Sequence, residues 1–505
     1  MLNLDVLKDN GFWEAGGVTL PNYNIKGVTQ NTYNEPMWVH FGAGNIFRGF
    51  IASLQQKLLN DGLAEKGIVA VEVFDGEIID RIYRPFDNLV MNVVLNTDGA
   101  IDCEILAPIT EALRADESME RLTEIFKNPG LQMVSFTITE KAYNPNNGDI
   151  MGILAKLLHT RYIAGKKPVA MVSLDNCSKN GDKLRDCILE VTKAIPDDGF
   201  IEYINDERLV SFPWTMIDKI TPRPDDTVKN YLEKKGIKGM KPILTEKGTY
   251  IAPFVNAEKP QYLVIEDKFP NGRPPLEHAG VFFTDRDTVN KTERMKVTTC
   301  LNPLHTAMAV FGCLLGYTKI CDEMRDEDIV KLIKRLGYDE GLPVVTDPKI
   351  INPRSFIDEV VNERLPNRFL PDAPGRITTD TSQKVGIRFG ETIKSYVNEG
   401  RDLSALVAIP LAIAGWMRYL LGKDDNGADM EVAPDPLKEE LQDLLGGIKW
   451  NDPASYTGQL LPILSNSDIF GLNLADTPLY TKIEGYFAAM LGGSGAVRET
   501  LRENI

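Results

Sequence analysis

The chain has 505 residues, more than a single hydrophobic core usually includes, so its length predicts two domains. Its 43% hydrophobic and 25% charged residues are typical of a globular protein. The net charge of -16, with no basic patch to offset it, argues against binding to nucleic acid or an anionic membrane. We therefore expect a cytoplasmic protein with a small-molecule partner, no nucleic-acid partner and no membrane association. The sequence leaves the oligomeric state open.

Residues 1–35 are polar and irregular, and we interpret them as an extension packed on the domain that follows. A strand, a tight turn and a helix are predicted from Trp38, where MWVHFGAGN leads into a run of apolar residues at helical spacing. Further strands are predicted at GIVAVEVFDG, at 131–139 and at 169–176, and helices lie between them. This alternation predicts an α/β fold, a Rossmann-type doubly wound parallel sheet, for the first domain.

The pattern changes from about Val289, where long amphipathic runs such as PLHTAMAVFGCLLGY and ALVAIPLAIAGWMRYLLG predominate. These runs predict a mainly α-helical second domain. We place the first domain at 1–288 and the helical, substrate-binding domain at 289–505. The six cysteines and four histidines show no paired metal-ligand spacing, so we expect a metal-independent protein.

Gly42 and Gly44 lie between the first predicted strand and helix, where a G-x-G turn can cradle the pyrophosphate of a dinucleotide. The third glycine of the fingerprint is absent, because position 47 is Phe. An acid at the end of the next strand would hold the adenosine ribose, and we prefer Asp75 with Glu72 as the alternative. No basic residue follows at once, which favours NAD over NADP.

Lys296, Asn302 and His305 occur together at the start of the helical domain. A dehydrogenase that uses no metal needs a base for the substrate hydroxyl and amide donors for its oxygen, and these residue types supply both. A simpler interpretation of Asn302 is also open, since an asparagine before a proline often caps a helix. Spacing alone does not single out Lys296.

Several separated motifs resemble the polyol-specific long-chain dehydrogenase/reductase family, to which mannitol dehydrogenases belong. They occur in the family's order: HFGAGNIFRGF, VSFTITEKAY, SLDN followed by NGDKLRD, FPWTMIDKITP, YLVIEDKFPNGRP, ERMK with LNPLH, DTSQK and AGWMRY. The resemblance runs from about Trp38 to the carboxyl end. It implies an NAD-dependent dehydrogenase that acts on a sugar acid or a polyol.

The resemblance also implies roles for particular residues. Lys296 would be the general acid/base, and Asn176 and Asn302 would stabilise the substrate oxygen. His305 would orient substrate hydroxyls, and Glu293 would gate proton exchange between the lysine and solvent.

Further roles follow from the same resemblance. Asp218 would be a supporting acid of the active site, and Lys384 would face the far end of the substrate. The cofactor would be held by residues of the glycine turn and the helix after it, namely Gly42, Gly44, Asn45, Phe47 and Arg48.

The spacing between the lysine and the asparagine departs from the family pattern. The family has its asparagine five residues after the lysine, whereas Asn302 is six residues after Lys296 and is followed by Pro303 where the family has glycine. We place the extra residue between Lys296 and Asn302.

The motifs are most similar to those of fructuronate reductases, which implies interconversion of D-fructuronate and D-mannonate. Mannitol 2-dehydrogenase and tagaturonate reductase activities are alternatives with the same chemistry. A catalytically silent NAD-binding regulator is an alternative of another class. A uronate carboxylate would need nearby cations, for which Lys384, Arg376 and Arg388 are candidates.

Overall fold

The computed structural model describes residues 2–145, 148–195 and 197–505 and divides the chain into two compact units, 1–290 and 291–505. The strands are β1 (Val18–Thr19), β2 (Trp38–Phe41), β3 (Ile68–Glu72), β4 (Val90–Leu95), β5 (Ile101–Leu106), β6 (Ile109–Arg114), β7 (Met133–Phe136), β8 (Val169–Ser173), β9 (Val210–Ser211), β10 (Thr215–Asp218), β11 (Ile243–Leu244), β12 (Tyr250–Ile251), β13 (Phe254–Glu258), β14 (Tyr262–Glu266) and β15 (Phe282–Thr284). All of them belong to the first unit.

Helices of the first unit lie mainly between its strands. They are α1 (Asn10–Ala15), α2 (Ile25–Asn34), α3 (Ala52–Asn60), α4 (Met119–Lys127), α5 (Gly148–Ile163), α6 (Asn180–Thr192), α7 (Asp198–Asn205) and α8 (Asp226–Lys234). A π-helical segment, Phe47–Ile51, leads directly into α3.

A six-stranded sheet with the order β6-β3-β2-β7-β8-β9 organises this unit, and all of its pairings are parallel. Successive residues of a strand face opposite sides, so Trp38 packs into the apolar core on one face and Val39 into the core on the other. Burial on both faces explains why these strands are mostly apolar and do not alternate between apolar and polar residues. The predicted Rossmann-type sheet is confirmed, and its carboxyl edge carries the glycine turn.

Two features of the first unit differ from expectation. Residues 1–35 are not irregular, because they form α1, β1 and α2, with Asp9 and Asn24 accepting hydrogen bonds from Phe12 N and Gly27 N at the helix starts. A second sheet, β1-β5-β4-β13, mixes parallel and antiparallel pairs and was not predicted.

The second unit is helical, as predicted. Its helices are α9 (Arg286–Met295, which begins in the first unit), α10 (Asn302–Leu314), α11 (Ile320–Glu323), α12 (Glu327–Lys334), α13 (Pro353–Glu359), α14 (Pro374–Ile377), α15 (Glu391–Asn398), α16 (Ala408–Tyr419), α17 (Lys438–Leu444), α18 (Leu461–Leu464), α19 (Ser467–Phe470), α20 (Leu479–Ala489) and α21 (Ala496–Asn504). Every residue of α16 is buried, so this helix lies at the centre of the unit.

The helical run Arg286–Leu314 is long and apolar enough to cross a membrane by length and composition alone. Within its most apolar window, 78% of the residues are buried inside the protein. A buried core helix has the same composition, so this run is weak support for a membrane span.

Glu323 is a buried acid in the core of the second unit, and neither of its carboxyl oxygens has a hydrogen-bond partner. A Cβ on Gly312 would lie 2.2 Å from its Oε1, so the carboxyl packs directly against this glycine. Burial, and then the charge of Asp326, raise the pKa of Glu323 to about 9. The folded protein therefore keeps this carboxyl protonated at neutral pH.

We expect this carboxyl to make the protein less stable as the pH rises from about 5 to about 9. The unfolded chain releases the proton near pH 4.5 while the folded chain retains it, which costs up to about 1.4 kcal/mol per pH unit. Glu323→Gln should flatten this slope in melting temperatures measured from pH 5 to pH 9. Glu327→Gln, at an exposed site on α12, is the control. An unchanged slope in Glu323→Gln would contradict the assignment.

Candidate active site

The glycine turn after β2 has a backbone that only glycine can adopt at its first position. Gly42 has φ +103°, and a Cβ at this residue would lie 2.2 Å from the carbonyl oxygen of Thr137. Gly44 differs, because a Cβ there would meet nothing within 4 Å. The turn is thus packed against β7 on one side and has open space beside Gly44.

The helix after the turn presents backbone donors. Arg48 N donates to Gly44 O, so the N–H groups of Asn45, Ile46 and Phe47 precede the first helical hydrogen bond. Such groups at a helix start bind phosphate oxygens well. The turn and these donors fit the pyrophosphate of a dinucleotide.

Two of the residues predicted to bind the cofactor have buried side chains. Phe47 stacks on His40 with ring centroids 4.2 Å apart, so Phe47 can offer a ligand its backbone only. The guanidinium of Arg48 reaches Asn45 Oδ1 at 3.4 Å, while its Nε and Nη2 atoms have no partner. Arg161, equally buried, donates to carbonyl oxygens from all three of its nitrogens. Arg48 is therefore a buried cation with unused donors.

The two acids after β3 face different neighbours. Glu72 Oε1 accepts from the N–H groups of Phe74 and Asp75, and Oε2 accepts from Ala43 N at 3.0 Å in the glycine turn. A carboxylate oxygen can accept two hydrogen bonds, so Oε2 retains capacity. Asp75 is turned away, and its Oδ2 accepts from Thr245 Oγ1 at 2.7 Å. Only Glu72 contacts the turn.

Asn176 and Asp218 both lie in the first unit, near the ends of strands that belong to different sheets. Asn176 is exposed and follows β8, at the carboxyl edge of the parallel sheet, where ligands bind in folds of this kind. Asp175 beside it accepts from the N–H groups of Ile138 and Thr139 after β7. Asp218 is buried at the end of β10, in the three-stranded sheet β10-β14-β15.

Lys296 is buried and begins a π-helical turn, Lys296–Cys300, that follows α9. The turn closes with a hydrogen bond from Leu301 N to Lys296 O, which spans five residues instead of the four of an α-helix. A π turn takes up one residue more than an α-helical turn, which fits the longer spacing between Lys296 and Asn302. Such turns are frequent at functional sites.

Asn302 does not cap α10, because Leu301 occupies the cap position and Asn302 is the first helical residue. Its half-buried side-chain amide has no hydrogen bond with the residues that the structure describes. The interpretation of Asn302 as a capping residue is therefore wrong.

His305 lies three residues after Asn302 and shares its helix face. Burial lowers the pKa of His305 to about 4, although Asp372 Oδ2, 3.8 Å from Nε2, opposes the shift. The imidazole is thus neutral at neutral pH, and its Nε2 has no hydrogen-bond partner. Glu293 is half-buried on α9, one helical turn before Lys296.

Lys384 and Arg388 form a pair of cations in the second unit. Lys384 Nζ donates to Thr379 O, and Arg388 Nη1 donates to Thr306 Oγ1 on α10. Within the described part of the chain, neither has a carboxylate oxygen within 4.0 Å. Burial lowers the pKa of Arg388 to about 10, and burial and then Arg388 lower the pKa of Lys384. Arg376 differs, because it is paired with Asp372.

Thr306 and Thr245 were not singled out in the sequence. Thr306 lies four residues after Asn302 on α10, so its helical spacing from Asn302 could have marked it. Thr245 is 170 residues from its partner Asp75, and no local pattern connects the two. In the described ranges, no group of three or more His, Cys, Asp or Glu side chains could hold a metal ion. Independence from metal stays a prediction.

Two family models match the chain over most of its length. A mannitol dehydrogenase Rossmann domain matches residues 36–278, and a mannitol dehydrogenase C-terminal domain matches residues 288–489. Among curated proteins, the chain is 51% identical to a D-mannonate oxidoreductase of Thermotoga maritima, over 99% of this chain and 98% of that protein. It is 29% identical to a mannitol 2-dehydrogenase of Pyrenophora tritici-repentis, over 84% of this chain and 75% of that protein.

Solved structures show the same fold. A D-sorbitol dehydrogenase superposes with a TM-score of 0.82 at 23% identity, over 99% of this chain and 100% of that one. A Pseudomonas fluorescens mannitol 2-dehydrogenase, solved with NAD and D-mannitol, superposes with a TM-score of 0.68 at 25% identity, over 99% of each chain. The order of a Rossmann domain and a helical domain is common to them.

Proposed function

Because the chain belongs to the mannitol dehydrogenase family, we propose that it is an NAD-dependent oxidoreductase that interconverts D-fructuronate and D-mannonate. The observation that carries this proposal is its 51% identity, over nearly the full length of both chains, with a D-mannonate oxidoreductase. The first domain would bind the cofactor, and the helical domain would bind the sugar acid.

The cation pair of the second unit supports a sugar acid as the substrate. Lys384 and Arg388 have no carboxylate partner among the described residues, and the interior that surrounds them disfavours unpaired charge. A substrate carboxylate would satisfy both, and Arg388 could hold it through two parallel hydrogen bonds. A neutral polyol offers no such charge.

The first unit fits NAD through its glycine turn, helix donors and Glu72. When bound, the nicotinamide exchanges a hydride with the substrate carbon. The open space at Gly44 and the N–H groups that follow it would hold the pyrophosphate, and the buried cation of Arg48 would favour its negative charge. We assign the ribose to Glu72 instead of Asp75, because Glu72 contacts the turn and Asp75 is held by Thr245.

The second unit supplies the proton chemistry in this proposal. Lys296 would take the proton from the substrate hydroxyl during oxidation and return it during reduction. The amide of Asn302 would donate to the substrate oxygen, and Asn176 keeps its predicted role as a second amide donor. Neutral His305 would orient a hydroxyl, and Glu293 would exchange the proton of the lysine with solvent.

A substrate screen tests the reaction. The purified protein should oxidise NADH with fructuronate at a kcat/KM far above that with tagaturonate, fructose or fructose 6-phosphate. It should also reduce NAD with D-mannonate and only slowly with D-mannitol. A preference for tagaturonate or fructose would reassign the substrate within the family, and no turnover with any of them would favour a silent NAD-binding regulator.

Replacing each of the two acids by its amide tests which of them binds the ribose. Glu72→Gln should raise the KM for NAD by about tenfold and narrow the preference for NAD over NADP, since a carboxylate repels a 2′-phosphate. Asp75→Asn, its matched control, should change neither quantity by more than about twofold. Initial rates with each cofactor at saturating D-mannonate give both numbers. The reverse pattern would return the role to Asp75.

The remaining expectations concern the setting of the enzyme. We propose a cytoplasmic protein without a nucleic-acid or membrane partner, on the strength of its net charge of -16. Fractionation of cells that produce it should recover the activity in the cytosol.

A further inference from the structure

Phe74 is an exposed aromatic side chain at the carboxyl end of β3. It is 66% exposed, more than any other aromatic residue among those described. An exposed aromatic ring beside a ligand site offers a flat apolar face on which a base can stack. Its backbone N–H donates to Glu72 Oε1 at 2.9 Å, which fixes Phe74 next to the carboxylate assigned to the ribose.

A hairpin from a distant part of the chain holds the loop that carries Phe74. The hairpin consists of β11, the turn 245–249 and β12, and three hydrogen bonds attach the turn to the loop. Thr245 Oγ1 donates to Asp75 Oδ2 at 2.7 Å, and Glu246 N donates to Glu77 Oε1 at 2.8 Å. Lys247 Nζ donates to Phe74 O at 2.5 Å.

Thr245 connects the hairpin to the loop through its side-chain hydroxyl. Its hydroxyl donates to Asp75 and also accepts from Thr249 N at 2.9 Å, so one oxygen joins both segments. Gly248, with φ +82°, makes the tight turn that brings Lys247 over the loop. The ammonium of Lys247 lies 4.8 Å from the centroid of the Phe74 ring and so fixes one face of the ring.

We propose that Phe74 is the stacking platform for the adenine of the dinucleotide and that the hairpin 243–251 is its positioning element. The inference rests on the proposed function, because the ligand is the adenosine half of NAD. Adenine is joined directly to the ribose assigned to Glu72, so it reaches the side chain two residues further along. An aromatic ring stacks well on a base, and a cation on its other face strengthens the platform.

Binding measurements without any sugar test this assignment. Titrations would use NADH, AMP and reduced nicotinamide mononucleotide, which lacks the adenosine. Phe74→Ala should weaken the binding of NADH and AMP by about tenfold and leave that of the mononucleotide unchanged. Phe74→Trp should restore the binding. Thr245→Val, which removes the hydrogen bond to Asp75, should lower NADH affinity by a smaller factor.

Ile163→Ala is the matched control, because Ile163 is a similarly exposed apolar residue of the same unit. It should bind every ligand like the native protein, and melting temperatures should show that all variants fold. Native affinity of Phe74→Ala for NADH and AMP would overturn the assignment, as would an equal loss for the mononucleotide. A native protein that binds these ligands but reduces no uronate would overturn the proposed substrate and leave the adenine platform standing.

Discussion

Lys296→Ala should lower kcat by about a hundredfold to ten-thousandfold, the range expected when a proton-transfer group is lost. The side chain is buried at the start of the π turn, and in the proposed reaction no other residue takes the proton directly from the substrate. Both kcat and kcat/KM should fall, because the proton moves in the transition state. The dissociation constant for NADH, measured by fluorescence, should change little.

Lys331→Ala provides the control for this variant. Lys331 is an exposed lysine on α12 of the same unit, so its removal tests the loss of a charge without the loss of a buried amine. This variant should keep native kcat. Near-native turnover in Lys296→Ala would reject the lysine mechanism and move attention to the neutral imidazole of His305.

Gly42→Ala should destabilise the first unit and abolish measurable NADH binding. A backbone with φ +103° costs an L-residue about 1–3 kcal/mol, and the added methyl group would overlap a carbonyl oxygen 2.2 Å away. The overlap is with the backbone of Thr137, directly after β7, the strand that pairs with β2, so it cannot be relieved by moving a side chain alone. Calorimetric melting should therefore show a large fall in the melting temperature.

Gly44→Ala separates packing from binding at the same turn. A Cβ there meets nothing within 4 Å, so the variant should melt like the native protein. Its methyl group would fill the space proposed for the pyrophosphate, and the dissociation constant for NADH should rise about tenfold or more. Native NADH affinity in this variant would contradict the position assigned to the pyrophosphate.

The parallel sheet could be predicted because its signal is local. Strands such as β2 and β8 are buried on both faces and are therefore mostly apolar, and each is followed by a helical pattern. The mixed sheet could not be predicted in this way, because β1 and β13 each lie more than 80 residues along the chain from the strand with which they pair. Its pairings depend on the tertiary fold.

The choice between the two acids after β3 shows the same limit. Glu72 and Asp75 are equally suitable as residue types, and the sequence favoured Asp75. The fold gives them different contacts, with Ala43 N for Glu72 and with Thr245 for Asp75. The contact with Thr245 joins segments 170 residues apart, so no window of sequence reveals it.

The sequence singled out more candidate residues in the region around Lys296, and their roles stay predictions. The lysine, asparagine and histidine came from the resemblance, and the extra residue between the first two was visible in the sequence. What the sequence could not provide was the conformation that accommodates this residue. A π turn has no reliable residue signature, and only the hydrogen bond from Leu301 N to Lys296 O identifies it.

In the π turn after Lys296, one backbone carbonyl receives its hydrogen bond from a neighbouring helix. Pro303 has no N–H, so it cannot complete a five-residue hydrogen bond to the carbonyl of Thr298, and Thr392 Oγ1 of α15 donates to that oxygen at 3.3 Å instead. A hydroxyl on α15 thereby braces the backbone two residues after Lys296, the residue proposed to transfer the proton. Substitutions in α15 should therefore change the rate of turnover, although this helix contributes none of the proposed reacting groups.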